Sequence, residues 1–517
     1  MIVFLNIINY VTIDPLTNNY VTEDKRQIIF HGVNAVKKEF PYIPEINANK
    51  QDYNTTIIKK DIDFLKAHGF NMVRLGVMWP GVFPAQDQIN TTYLDEMTKL
   101  VNTLGENGIY TQVDMHQDLL SAFTCGEGIP DWAVSYQREG IKNFPMPKYA
   151  EYERNPDTHY IDKKLCFSQG FANYYDSDLV GNMIECLYAS DCNPFQSYTD
   201  PTAAPEKTLI LREELIKFWV AVADNFKDNH FVIGYDLMNE PVAGNKNEHF
   251  DLWKNTTKFD ETVLTPFYQA IMTAIWKVDT NHIIFFEPTI MAMAKPPGFP
   301  KNGPGSLVNI PSTSQSYAWH LYCMTVDSNG EPQMPEKLCS VVDDLWFEKR
   351  VKNGRELNLN GMVNEFGAVP NTDKFWPTLR HEIQLFGKEG MSWAYWAFKP
   401  FGDITTAFNE VEGLNEGLFN SNMTVQKEKV KILSHPYVQV CAGELSVNQF
   451  DFAKGTLTIK MKAGKVGEYS EVVVGSLWNG FGRGGKIIQG NTHIQRVDGK
   501  VLLHNIVEGE QVEIQLW

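Results

Sequence analysis

Between residues 27 and 400 the chain alternates two hydrophobic rhythms: short, nearly continuous apolar runs, and longer stretches with an apolar residue every third or fourth position. The first reads as strands buried on both faces, the second as amphipathic helices. The strand-like runs are "QIIFHGVN", "FNMVRLGV", "IYTQVDMH", "FVIGYDLMNEP", "HIIFFEP", "QSYAWHLY", "GMVNEFG" and "GMSWAYWAF". Between the first two, "TTIIKKDIDFLKAHG" sets Ile58, Ile62 and Leu65 on one helical face and ends at Gly69, a residue suited to closing a helix. "YLDEMTKLVNTLGENG" repeats the pattern with Leu94, Met97, Val101 and Leu104, and "REELIKFWVAVADNF" with Leu215, Trp219, Val222 and Phe226. Eight strands with helices between them predict an α/β fold, a parallel (β/α)8 TIM barrel. Apolar strand residues then fill the barrel, and chemistry collects at the carboxyl ends.

Two stretches break the rhythm. From Gln117 to Leu209 no barrel strand intervenes, which is far more than a connecting loop needs and reads as an excursion shaping the active face. Past residue 430 the helical period gives way to alternation in "GTLTIKMKAG", "YSEVVVGSLW", "KVLLHNIV" and "QVEIQLW", implying an antiparallel β-sandwich. The expected organisation is a catalytic barrel over 1–430, with its insertion at about 117–209, and a C-terminal β-sandwich over 431–517.

The formal net charge of -17 argues against nucleic acid or an anionic lipid surface as partner. No apolar run reaches the roughly 18 residues of a membrane-spanning helix. None of the seven cysteines forms a CxxC pair. Cys186 with Cys192, and Cys323 with Cys339, flank short loops; disulfides of an exported protein and reduced buried thiols both fit, and the odd count leaves one thiol over. The apolar start "MIVFLNIINY" lacks a basic n-region and reads as a poor signal peptide or a first strand. Sequons at Asn54, Asn90, Asn255 and Asn422 add to an expectation of secretion or an endo-lysosomal or digestive-vacuole location.

Two strand runs end alike, in Asn239–Glu240 and Asn364–Glu365. A single glutamate is ordinarily a solvated surface residue. Two carboxylates facing each other across a barrel mouth, however, are what glycosidic cleavage requires: one protonates the leaving oxygen and the other attacks the anomeric carbon or activates water. A gap of about 5–5.5 Å gives retention of configuration and about 6.5–9.5 Å gives inversion. Arg74 inside "MVRLGVM" is poorly placed for a surface ion pair. His116 and His320 fit either a core or a site role. Alternation puts Trp393 and Trp396 on opposite sides, so that one packs and the other binds. Asp114 with His116 could begin a metal site, but no further ligands follow, so neither metal nor cofactor is expected.

"DLMNEP", "VNEFG", "NMVRLGVMW", "DMHQD" and "HLY" together resemble glycoside hydrolase family 5, retaining (β/α)8 glycosidases. "FHGVNAVKKEFPY", "DMHQDLLS" and the terminal sandwich resemble its endoglycoceramidase group, over about residues 20–517. The resemblance implies Glu240 as acid/base, Glu365 as nucleophile, Asn239 on the sugar 2-hydroxyl, and Arg74 and Tyr322 on the nucleophile. It implies His116 and His320 lining the pocket, Trp396 as sugar platform, and Lys38, Asp114 and Asp118 holding sugar hydroxyls; Lys37 competes with Lys38 for the inward position. The implied reaction is hydrolysis between the oligosaccharide and ceramide of a glycosphingolipid, presented in micelles or membranes. Other readings are a steryl- or ceramide-β-glucosidase, a cellulase-like β-glucan hydrolase, and an inactive glycolipid-binding barrel. "PTIMAMAKPPGFP" offers Ile290, Met291, Met293, Pro297 and Phe299, which either line the lipid side of the cleft or pack beneath the loop.

Overall fold

The computed structural model describes residues 10–135, 154–169, 177–196, 202–205, 207–290, 295–323, 331–403, 415–497 and 499–517. Eight parallel strands close a barrel: β1 (His31–Ala35), β2 (Met72–Gly76), β3 (Tyr110–Asp114), β4 (Val232–Asp236), β5 (Ile283–Phe286), β6 (Gln315–Leu321), β7 (Asn360–Gly367) and β8 (Ser392–Trp396). Six fall inside the runs read from the sequence, while β1 runs one residue past its run, to Ala35, and β7 begins one residue before its run, at Asn360. The first run is divided, because Gln27–Ile28 forms a separate short strand before β1.

Period-two alternation sorts the side chains into layers. Met72, Phe285, Ala318, Met362 and Ala394 fill the lower barrel as one apolar cluster, while Val73, Leu75, Tyr317 and Trp319 face the surrounding helices. Two residues further along the same strands, the inward positions become Arg74, Glu287, His320, Asn364 and Trp396. The apolar floor thus supports a polar upper layer. On β7 the pairing with β6 shifts register between Val363 and Glu365, so that Glu365 lies opposite His320. A bulge of this kind re-aims a side chain at a barrel rim.

The helices between strands follow the expected faces: Leu94, Met97, Val101 and Leu104 are buried on Thr91–Gly105, and Leu215, Trp219, Val222 and Phe226 on Leu211–Phe226. Within the long excursion, Cys125–Cys166 and Cys186–Cys192 are disulfides, and Cys323–Cys339 is a third, in the β6–β7 connection. Cys125–Cys166 was not legible as a pair. Cys441 is the remaining thiol, buried in the terminal region. The excursion's helix Asp178–Tyr188 braces the loop after β4. Tyr188 donates its hydroxyl to the Val242 carbonyl at 3.0 Å, and Asn245 donates its backbone N–H to Glu185 at 2.8 Å. Gly181 allows the close approach, since a Cβ there would stand 2.5 Å from the Asn245 Cα.

After the barrel, strands stack as two antiparallel sheets around a shared core that includes Val438, Phe450, Ile459, Leu503 and Ile514. Alternation is clear in Thr456–Ala463, where Leu457, Ile459, Met461 and Ala463 turn inward. One sheet also recruits the N-terminal pairs Thr12–Ile13, Tyr20–Val21 and Gln27–Ile28, the last alongside Tyr437–Cys441. No helix among the described residues is long and apolar enough to cross a membrane.

Candidate active site

Arg74 organises the upper barrel. It is fully buried, and its guanidinium reaches five side chains at four strand ends: Nε donates to Asp236 at 2.9 Å, one terminal nitrogen to Asn34 at 3.1 Å and Glu365 at 3.0 Å, and the other to Asp114 at 2.8 Å and Asn239 at 3.0 Å. Glu287 lies 3.4 Å away. Burial alone would favour the neutral form, but the surrounding carboxylates outweigh it and hold Arg74 charged. Asp236, by contrast, is driven well above the usual carboxylate range by burial and by Glu287, against the pull of Arg74. Replacing Arg74 with methionine should cost about 3–5 kcal/mol in thermal or urea unfolding, because these carboxyl groups lose their common cation. Unchanged stability would contradict this role.

Glu240 stands just past β4 in the left-handed region, with φ 46. Few side chains adopt that conformation without support. Its backbone N–H donates to Glu287 Oε2 at 3.0 Å, and the preceding Asn239 N–H donates to the Met115 carbonyl at 3.1 Å. The Glu240 carboxyl accepts from His320 Nδ1 at 2.7 Å, and the other ring nitrogen of His320 lies 3.0 Å from Glu287. Burial lowers the His320 pKa, but Glu287 and Glu365 outweigh it and keep the ring an imidazolium. Burial raises Glu287, yet His320 and Arg74 hold it down to about 2. Glu240 is raised, chiefly by burial and further by Glu365, against the opposing pull of His320.

Glu365 has a different environment. It accepts from Arg74 at 3.0 Å and from the Tyr322 hydroxyl at 2.7 Å. One oxygen of Glu240 and one of Glu365 lie within 4.8 Å of each other, with His320 alongside.

A second cluster adjoins the pair. Lys38 bonds Asp118 at 2.6 Å, Glu127 at 2.8 Å and Asp403 at 3.0 Å. His116 lies 2.8 Å from Asp114 and 3.3 Å from Asp118. Burial disfavours the charged ring of His116, but Asp114 outweighs it and lifts the pKa to about 10. Burial likewise raises Asp118, and Lys38 and His116 together hold it well below the usual carboxylate range. Trp396 stacks on His116 with centroids 5.1 Å apart, and the Lys38 ammonium sits 5.0 Å from the Trp396 ring. Lys37 instead donates to the Phe401 carbonyl at 2.9 Å, and Trp393 packs on His31 in the core.

All the residues singled out from sequence therefore meet at one face: Lys38, Arg74, Asp114, His116, Asp118, Asn239, Glu240, His320, Tyr322, Glu365 and Trp396. Glu287, Asp236, Asn34, Glu127 and Asp403 were missed. Glu287 carried a readable signal, since "FFEP" ends a strand in Glu–Pro as "MNEP" does. Glu127 stands beside His116 and Asp118 as the third donor that the sequence did not reveal, with the Lys38 ammonium among them. Of the two places open to the "PTIMAMAKPPGFP" segment, Phe299 takes the packed one: it is buried against Tyr268 and Phe286. Met291 and Met293 lie outside the described residues.

A parallel barrel of this kind, with its polar machinery at the carboxyl ends of the strands, is a glycoside hydrolase architecture. The cellulase family model (glycosyl hydrolase family 5) matches residues 33–402, and the chain belongs to that family. It is 31% identical over 453 residues to an endoglycoceramidase of Hydra vulgaris, covering 87% of this chain and 77% of that protein. With an endoglycoceramidase of Cyanea nozakii it shares 30% identity over 397 residues, covering 76% and 70% respectively. The fold matches endo-glycoceramidase II from Rhodococcus sp. in its ganglioside GM3 complex, with a TM-score of 0.70 at 20% identity over 97% of this chain and 99% of that one.

Proposed function

We propose that the chain is a retaining β-glycosidase that cleaves between the oligosaccharide and the ceramide of glycosphingolipids, with Glu240 as acid/base and Glu365 as nucleophile. The observation that carries this is the approach of one oxygen of Glu240 and one of Glu365 within 4.8 Å, with Glu240 raised chiefly by burial and Glu365 held by Arg74 and Tyr322. Such closeness favours direct attack over an intervening water, which needs a gap of about 6.5 Å or more.

In this reading Glu240 gives its proton to the glycosidic oxygen as the bond to the anomeric carbon breaks. Glu365 supplies the electron pair that forms a glycosyl ester. Glu240, now a carboxylate, takes a proton from water, whose oxygen displaces Glu365 and regenerates both groups. Asn239 commits its Oδ1 to Arg74 and one N–H to the Gln117 carbonyl at 3.1 Å, which leaves its second N–H to hold the sugar 2-hydroxyl. Lys38, Asp114, His116 and Asp118 bind further hydroxyls, and Trp396 presents its face to a sugar ring. Glu287 is a positioning residue, tying the Glu240 backbone to His320. Three disulfides suit an oxidising compartment, in keeping with secretion or an endo-lysosomal location.

The test is mass analysis of products from a ganglioside, glucosylceramide, a steryl glucoside and a β-glucan. An intact oligosaccharide plus ceramide is expected from the ganglioside. Preference for the β-glucan or the steryl glucoside would overturn the substrate assignment.

A further inference from the structure

The segment after β5 carries Glu287, whose side chain holds the Glu240 backbone N–H and His320. This segment must itself be held, because Glu240 keeps its left-handed conformation only while its neighbours are fixed. Pro288 has no N–H, which leaves the Glu287 carbonyl and the Thr289 N–H as the backbone groups flanking it. One helix takes both. The Tyr268 hydroxyl donates to the Glu287 carbonyl at 2.8 Å, and Asp260 Oδ1 accepts from the Thr289 N–H at 3.2 Å. The next residue, Ile290, donates its N–H to the Pro241 carbonyl at 3.1 Å. The segment therefore meets the acid/base chain at Glu240 and again at Pro241.

Asp260 and Tyr268 are both fully buried. The second oxygen of Asp260 accepts from the Gly298 N–H at 3.5 Å. Among the described residues no cation forms an ion pair with Asp260; the two N–H donors hold it, and Arg350 attracts it from further off. A buried carboxylate without a salt bridge is costly, so its place at the Thr289 N–H calls for a reason beyond packing. The helix is shaped for the pairing. Asp260 opens a π-helical turn, Asp260–Leu264, that runs directly into the α-helix Thr265–Trp276. Residues eight apart in a regular α-helix diverge by about 80° around its axis. A π turn takes in one extra residue, so Asp260 and Tyr268 stand as if seven apart and share a face. That face lies along Glu287–Thr289.

We propose that Asp260 and Tyr268 are a positioning pair for proton donation: they fix Glu287–Thr289, and that segment sets the direction of the Glu240 carboxyl. The inference rests on Glu240 as acid/base and is independent of the aglycone. Loss of either tie would let Glu287 shift, and with it the Glu240 backbone, without removing any group that touches the sugar.

The experiment measures kcat and KM on octyl β-lactoside and dinitrophenyl β-lactoside for the wild type, Tyr268→Phe, Asp260→Leu and Glu240→Ala. The alkoxide leaving from the first substrate needs a proton, and the phenolate leaving from the second does not. In Tyr268→Phe and Asp260→Leu, kcat/KM on octyl β-lactoside should fall about five- to tenfold or more, as for a lost hydrogen bond. On dinitrophenyl β-lactoside kcat/KM should hold within about twofold. There kcat and KM should fall together, because Glu240 must still draw a proton from the water that hydrolyses the ester. A defect of packing alone would lower kcat/KM on both substrates alike. Tyr268→Phe keeps the core shape, so it reports on the pair even where Asp260→Leu folds poorly. Equal losses on the two substrates, or wild-type values in the variants, would overturn the positioning role and leave the acid/base assignment intact. Equal losses in Glu240→Ala itself would overturn that assignment, and the role of the pair with it.

Discussion

Glu365→Gln should abolish turnover, lowering kcat on the order of 10⁴-fold or more, as loss of a covalent nucleophile generally does. Substrate binding should survive, because the amide has nearly the same shape: its oxygen can still accept from Arg74, and its NH2 can donate to the Tyr322 hydroxyl oxygen. The two effects are read separately, kcat from single-turnover cleavage of an aryl β-lactoside and affinity from titration calorimetry with uncleaved glycolipid. Thermal unfolding should show a folded protein. Near-wild-type turnover in this variant would remove the basis of the active-site assignment.

Glu240→Ala should cost about 10²–10⁴-fold on substrates with poor leaving groups, the range of general acid catalysis, and much less on aryl glycosides with good ones. Azide should restore part of the rate by attacking the glycosyl ester from the vacated side, giving a β-glycosyl azide. The pH profile supplies a further check. Burial raises the Glu240 pKa, against His320, and the reaction needs its protonated form. Wild-type kcat/KM should therefore decline as pH rises through that raised pKa, and the decline should vanish in Glu240→Ala. An equal loss on good and poor leaving groups would assign the proton transfer to another residue.

The parts of this molecule legible in sequence were those where burial imposes a period. Buried barrel strands must be apolar along most of their length, so a polar residue at the end of such a run stands out, as with Glu240 and Glu365. Glu287 obeys the same rule but lacks a preceding Asn; only its place beneath Glu240 and His320 shows what it does. Glu127 and Asp403 come from connecting segments whose sequence has no repeat, and Lys38 gathers them by long-range attraction. The N-terminal strands are two residues each, too short for alternation to register, and the terminal sheet recruits them by edge pairing. Phe299 shows the converse limit: an apolar residue reads alike whether it lines a cleft or fills the layer beneath it, and here it packs against Tyr268 and Phe286.

The central claim is that Glu365 becomes covalently bonded to the sugar. A 2-deoxy-2-fluoro-β-glycoside with a fluoride leaving group tests it directly, because the 2-fluorine slows both formation and hydrolysis of the ester while the good leaving group restores only its formation, so the ester accumulates. After incubation and proteolysis, the account predicts a peptide containing Glu365 heavier by one fluoroglycosyl group, with that carboxylate as the site of attachment. Attachment to Glu240 or Glu287, or release of the α-configured product with no adduct, would contradict it.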